Sequence, residues 1–180
     1  LMSVLFVKDL DKHLNEVIAN ATQYFPQKKE QYFFGALAQL TWGELFVSEF
    51  GMFIQAPNPV EIVIAGGFHL RITDSVDKLM SLNVNFLGSI NFSTGMSFDA
   101  ELVDSHIVGI ELYGSAALRI RWGGGTKGFI LSAGGFHPKY TPDAGFNVRD
   151  MKRIGMKLDY SILKISLESY FAVTDRKSVV

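Results

Sequence analysis

Three features of this chain could do chemistry: a glycine-rich loop, four histidines and a short acidic cluster. Gly123-Gly124-Gly125-Thr126-Lys127-Gly128 has the spacing G-x-G-x-x-G. A dinucleotide loop needs that spacing to open a helix, whose first amides then meet the pyrophosphate. Here Phe129-Ile130-Leu131 follows and reads as a strand, so the glycines are expected to form a hairpin turn. Lys127 precedes the last glycine, so the P-loop spacing fails as well. His13, His69, His106 and His137 show no helical i, i+4 ligand spacing, and no acidic partner recurs beside them. His69 and His137, with Asp74 and Asp143 nearby, would suit a metal only if they converged in space; a structural place on the polar side of a strand is the simpler expectation. Asp99, Glu101 and Asp104 form the acidic cluster. In a strand, residues 99 and 101 point to one side about 7 Å apart, a separation at which paired carboxylates can act on glycosidic bonds. Nothing else suggests a sugar site, and a solvated strand face is expected. Ser97, in Gly95-Met96-Ser97-Phe98-Asp99, lacks the second glycine of a nucleophile elbow. No catalytic, cofactor-binding or metal-ligating residue is assigned, and the chain is not expected to be an enzyme.

The elements that would position these residues follow from periodicity. Leu10, Leu14, Val17, Ile18 and Ala21 share one helical face, so one amphipathic helix is expected over residues 9–23, capped by Asp9 or Asp11 and stopped before Pro26. From Gln31 the period becomes two. Tyr32, Phe34, Ala36, Ala38, Leu40 and Trp42 share a face, as do Ile62, Ile64, Phe68, Leu70 and Ile72. Ile110, Leu112, Ala116, Leu118 and Ile120 alternate with Glu111, Tyr113, Ser115, Arg119 and Arg121, and Leu163, Ile165 and Leu167 alternate with Lys164, Ser166 and Glu168. Such alternation puts one face on a core and one nearer water, as in antiparallel sheets. Turn signals separate the runs at Trp42-Gly43, Pro57-Asn58-Pro59, Thr94-Gly95, Gly123-Gly124-Gly125 and Thr141-Pro142-Asp143. The expected fold is mainly β: one N-terminal helix, then an antiparallel meander of about nine long strands in an extended or open sheet or a sandwich. Ala65-Gly66-Gly67-Phe68-His69 recurs as Ala133-Gly134-Gly135-Phe136-His137, and is read as a hairpin unit used twice.

Composition bounds the function classes. Seventeen basic against eighteen acidic residues leave a net charge of −1, which argues against nucleic-acid binding. Without cysteine there is neither a disulfide framework nor thiolate chemistry. Hydrophobic residues make up 48%, so a packed fold rather than a disordered one is expected. No compartment is assigned.

A series of motifs carries a resemblance. Tyr24-Phe25-Pro26, Leu40-Thr41-Trp42-Gly43, Asn83-Val84-Asn85-Phe86-Leu87-Gly88, the run from Ser97 to Ser105, the run from Ala116 to Gly123, Gly134-Gly135-Phe136-His137-Pro138 and Tyr170-Phe171-Ala172-Val173-Thr174 occur in order. In these the chain resembles a family of very large bacterial proteins catalogued as a domain of unknown function, number 6603. The resemblance implies a β-rich chain continuing past Thr174, and brings no activity, cofactor or site residue. The chain opens with Leu1, and its last six residues read like a translated sequencing adapter. The expected organisation is therefore a truncated helical lead-in over residues 1–30, a β-meander over 31–174 that continues in a longer protein, and a non-native tail over 175–180.

The leading functional expectation is a non-catalytic structural or interaction module of a large, repetitive chain. Two alternatives are an apolar-ligand or lipid-binding β-groove and a segment of an outer-membrane β-barrel. The barrel is disfavoured here by Arg and Lys on both kinds of strand position and by turns without short–long alternation. The expected partners are the rest of its own chain, another protein or an apolar ligand, with membrane contact left open. No cofactor, metal or nucleic acid is expected.

Overall fold

A computed structural model of the chain describes residues 32–57, 60–73, 78–125, 127–160, 163–175 and 178–179. The helix expected over 9–23 lies outside the described residues, as do His13, Asp74 and residues 176, 177 and 180 of the tail. The described residues form one antiparallel sheet of eleven strands. They are β1 (Tyr32–Trp42), β2 (Phe46–Ala56), β3 (Glu61–Thr73), β4 (Lys78–Asn91), β5 (Gly95–Ile107), β6 (Ile110–Arg121), β7 (Gly128–Ala133), β8 (Ile154–Tyr160), β9 (Leu163–Ser169), β10 (Phe171–Thr174) and β11 (Ser178–Val179). The only helical turn among them is a short 3-10 turn at Ala144–Phe146.

From β1 to β6 each strand pairs with the next in sequence, as short turns require. At β6 the order divides. Its C-terminal half, Ala116 to Arg121, pairs with β7, while Glu111 to Tyr113 pair with β8. The strand position beside β6 is thus filled by two pieces laid end to end. The next position is filled in the same way: β10 pairs with β7 and β9 with β8, with a break at Tyr170. Eleven strands therefore occupy nine positions across the sheet, and the expected number of about nine strands is close to the observed one.

Between β7 and β8 the chain leaves the sheet over residues 134–153 and returns to it. Ser115 anchors both ends of this excursion. Its carbonyl accepts from the Gly134 amide at 2.8 Å, and its amide donates to the Lys152 carbonyl at 3.2 Å. Its hydroxyl also accepts from the Lys152 amide at 2.8 Å. The crossing requires glycine. Gly114 has φ +146°, and a Cβ there would stand 2.8 Å from the Ile154 Cα. Gly134 has φ +76°, and a Cβ there would stand 2.5 Å from the Ser169 carbonyl oxygen.

This geometry separates the two copies of the repeated motif. Gly66-Gly67 lie inside β3, where a side chain on Gly66 would run into the backbone at Glu49 and Phe50. Gly134-Gly135 lie past the end of β7 and turn the chain off the sheet. The copies thus occupy different structural positions, and the duplicated-hairpin reading fails. The glycine-rich loop, by contrast, joins β6 to β7 with Arg121 opposite Gly128, as a hairpin connection should.

Candidate functional site

Register sorts the paired strand residues onto two faces; the bulges of β4 and β5 interrupt it. One row crosses the sheet from β2 to β10 as Gly51, Ala65, Leu87, Asp99, Ala117, Ser132 and Ala172. This face holds most of the buried strand residues: Phe53, Ala65, Leu87, Ala117, Ile130 and Ala172, together with polar Asn85, Asp99, Ser115, Arg119 and Ser132; Ser48 and Ser105 are buried on the other. Small side chains dominate the row, and Phe53 lies across Gly35 and Gly51.

The acidic cluster sits here, and it is not a solvated face. Asp99 is 1% exposed and Arg119 3%. One Arg119 amino group, Nη2, donates to both Asp99 oxygens at 2.9 Å, and the other donates to the carbonyls of Phe98 and Leu118 at 3.0 Å. The excursion supplies the remaining charges. The Arg149 guanidinium lies 3.8 Å from both Asp99 and Glu101, and the Lys152 ammonium donates to Glu101. Buried charge is stable only when paired and hydrogen-bonded, and the Asp99–Arg119 pair is both. Asp104 stands apart, in a bulge of β5 with φ 45°, where its carbonyl accepts from the Asn83 amide side chain. The two carboxylates expected to share a side do so, but three basic groups engage them and leave no open acid–base pair. Nothing in the local spacing marked Arg149 or Lys152 as partners, because they arrive from the far end of a chain excursion.

Among the described residues the histidines do not converge. His69 Nδ1 lies 2.8 Å from the Asn83 side-chain oxygen, directly across the β3–β4 pairing. His137 lies in the excursion, packed edge-on against Tyr170, with Nδ1 accepting from the Lys139 amide. Among the described residues no group of three or more His, Asp or Glu could hold a metal. Ser97 faces Ser89 across the β4–β5 pairing, hydroxyl to hydroxyl at 2.7 Å.

The opposite face reverses the expectation drawn from alternation. Register places on it Phe34, Leu40 and Trp42 of β1; Phe46, Phe50, Met52 and Ile54 of β2; and Ile62, Ile64, Phe68 and Leu70 of β3. Phe86, Phe98, Leu118, Leu131 and Phe171 continue it across the sheet, and Met156, Ile165 and Leu167 extend it over β8 and β9. None of these large side chains is buried, and many are exposed outright: Trp42 is 81% exposed and Leu167 58%. The apolar alternates are therefore not the core.

Among the strand residues that are paired in register and whose side chains are described, no Asp, Glu, Lys or Arg occupies a position on this face; Asp104, in the β5 bulge, lies in the gap of the register with both neighbouring strands. Glu49, Glu61, Arg71, Asp99, Glu101, Glu111, Arg119, Arg121, Lys157, Asp159, Lys164 and Glu168 all fall on the other. The expectation that Arg and Lys stand on both kinds of strand position is thereby corrected. Among the described residues no helix is long and apolar enough to cross a membrane.

The fold is thus an open antiparallel sheet whose paired, described strand residues leave one face without charge. Residues 1–178 match the family of unknown function DUF6603, and the chain belongs to that family. No curated protein and no solved structure matches it.

Proposed function

We propose that this domain is a non-catalytic structural and interaction module, a β-sheet wall whose charge-free face is its working surface. One observation carries the reading: among the paired strand residues whose side chains are described, charge is confined to one face and large apolar side chains crowd the other. A monomer ordinarily shows apolar patches of a few hundred Å² at most, and larger ones mark contact surfaces. At about 3.4 Å per residue and 4.8 Å per strand, this face extends roughly 40 Å each way, a footprint well above that range. The engagement of Asp99 and Glu101 by Arg119, Arg149 and Lys152 supports the non-catalytic part of the reading, since no titratable pair is left open to a substrate.

The test is an apolar dye titration in lipid-free buffer. Nile red fluorescence should rise on the folded chain. Leu40→Lys should lower it at least twofold, whereas Gln39→Lys, on the other face of the same strand beside Glu49, should leave it unchanged. Equal dye binding by both variants would remove the face from its assigned role.

A further inference from the structure

The occupant of this face can be argued from what the face lacks. A protein partner covering a standard interface exchanges about ten direct hydrogen bonds with it, set around a polar rim. Among the residues whose side chains are described, the polar strand positions here are Ser48, Ser105, Ser169, Tyr32 and Trp42. Ser48 donates its hydroxyl to the Gly67 carbonyl, and Ser105 donates to the carbonyls of Asn83 and Val103. Almost nothing remains with which to recognise a polar or charged partner. A surface of this extent without charge complements a medium that is itself without charge.

The rim supports the same occupant. Tyr32 and Trp42 stand at the two ends of β1, and both are well exposed. At the Tyr32 end, Phe92 and Trp122 stand at the β4–β5 and β6–β7 turns, where the indole donates to the Phe92 carbonyl at 2.9 Å. The amphipathic rings of Tyr and Trp at the border of an apolar band, here Tyr32, Trp42 and Trp122, belong at the headgroup level of a lipid layer. The charged strand residues that register places lie on the far face, where Asp99 and Glu101 are already paired within the protein.

We infer that the face rests on the acyl-chain region of a phospholipid bilayer, with the aromatic rim at the headgroups and the ion-paired face turned away. This rests on the reading of the face as the working surface, and it names the partner. The sheet lies on the layer rather than through it. The outer edge of β1 pairs with no described strand, and an open edge cannot stand in hydrocarbon.

The experiment uses vesicles of dioleoylphosphatidylcholine, whose zwitterionic headgroups remove simple charge attraction. The chain should float with the vesicles. The two tryptophans of the sequence are Trp42 and Trp122, so Trp122→Phe leaves Trp42 as the reporter. Lipid brominated on its acyl chains should quench Trp42 emission at least twofold. Leu40→Lys and Leu131→Lys, at exposed positions far apart on the face, should each lower the bound fraction about tenfold, in line with the depth-dependent cost of lysine against lipid. Gln39→Lys should bind as the unmodified chain does. Circular dichroism of each variant in buffer establishes that its sheet is intact.

Absence of flotation, or flotation equally strong in both face variants, overturns the bilayer. If the chain instead associates in lipid-free buffer and Leu40→Lys disperses it, the face is a working surface for protein, and only the bilayer falls. If neither vesicles nor self-association respond to Leu40→Lys and the dye is indifferent too, both readings fall.

Discussion

Arg119 decides whether the charged side of the sheet is stable. Its guanidinium satisfies Asp99 and two backbone carbonyls where water scarcely reaches. Removing one member of such a pair strands the other. Arg119→Met should therefore cost about 3–5 kcal/mol, read as a fall in the urea midpoint. Asp99→Leu combined with Arg119→Met should recover much of that loss, because a buried pair replaced by apolar groups of similar size is often near neutral. If the double variant were as unstable as the single one, the pair would be doing more than neutralising itself. At this scale the sequence was half legible. Alternation put Asp99 and Glu101 on one side and Arg119 among the polar alternates. Which cation meets which anion depends on register, and on Arg149 and Lys152 returning from the excursion, and neither is encoded in local spacing.

Among the elements, β1 and β6 were readable almost to the residue, because their alternation is unbroken from Tyr32 to Trp42 and from Ile110 to Ile120. The division of one strand position into β7 and β8 was not. It depends on Gly114 and Gly134 letting backbones approach at a crossing, whereas Gly134 in sequence looks like a copy of Gly66. Gly134→Ala meets the Ser169 carbonyl and an unfavourable φ together, and should destabilise by about 2 kcal/mol or more. Gly109→Ala, in the β5–β6 turn with open space around it and φ +76°, should suffer only the backbone strain of about 1 kcal/mol. Thermal melts of the two variants make the comparison, and equal losses would mean that crowding at the crossing is relieved by small shifts. The outer edge of β9 pairs with no described strand and carries one strong deterrent to pairing, Lys164. Light scattering should show the chain associating through it, and Ser166→Pro should suppress that association. A monodisperse unmodified chain would mean that this edge is already covered.

At the scale of the whole molecule, the β class was legible and the direction of the faces was not. Period two says that two faces differ; it does not say which is inside. In an ordinary half-buried sheet Phe68, Phe98 and Leu118 would point inward. Here Ala65, Ala117 and Ala172 do, with the ion pair among them, and the large side chains point out. Far-UV circular dichroism should show a β spectrum with a minor helical part. A helical share above about one third, the ordinary globular figure, would contradict a chain built on this sheet.

The excursion at residues 134–153 has a consequence for how relatives of this chain can differ. Ala133 stands opposite Ala116 and Gly155 opposite Tyr113, so the chain re-enters the sheet almost where it left. A segment with neighbouring ends behaves as a graft, because its length can change without shifting the pairing on either side. Family members should therefore vary in length here more than at the turns between β1 and β6. A shortened chain that joins Ala133 to Ile154 through one bridging residue should keep its β spectrum. It would expose the Asp99–Arg119 pair to water, and the stabilising role of that pair would then fade with added salt.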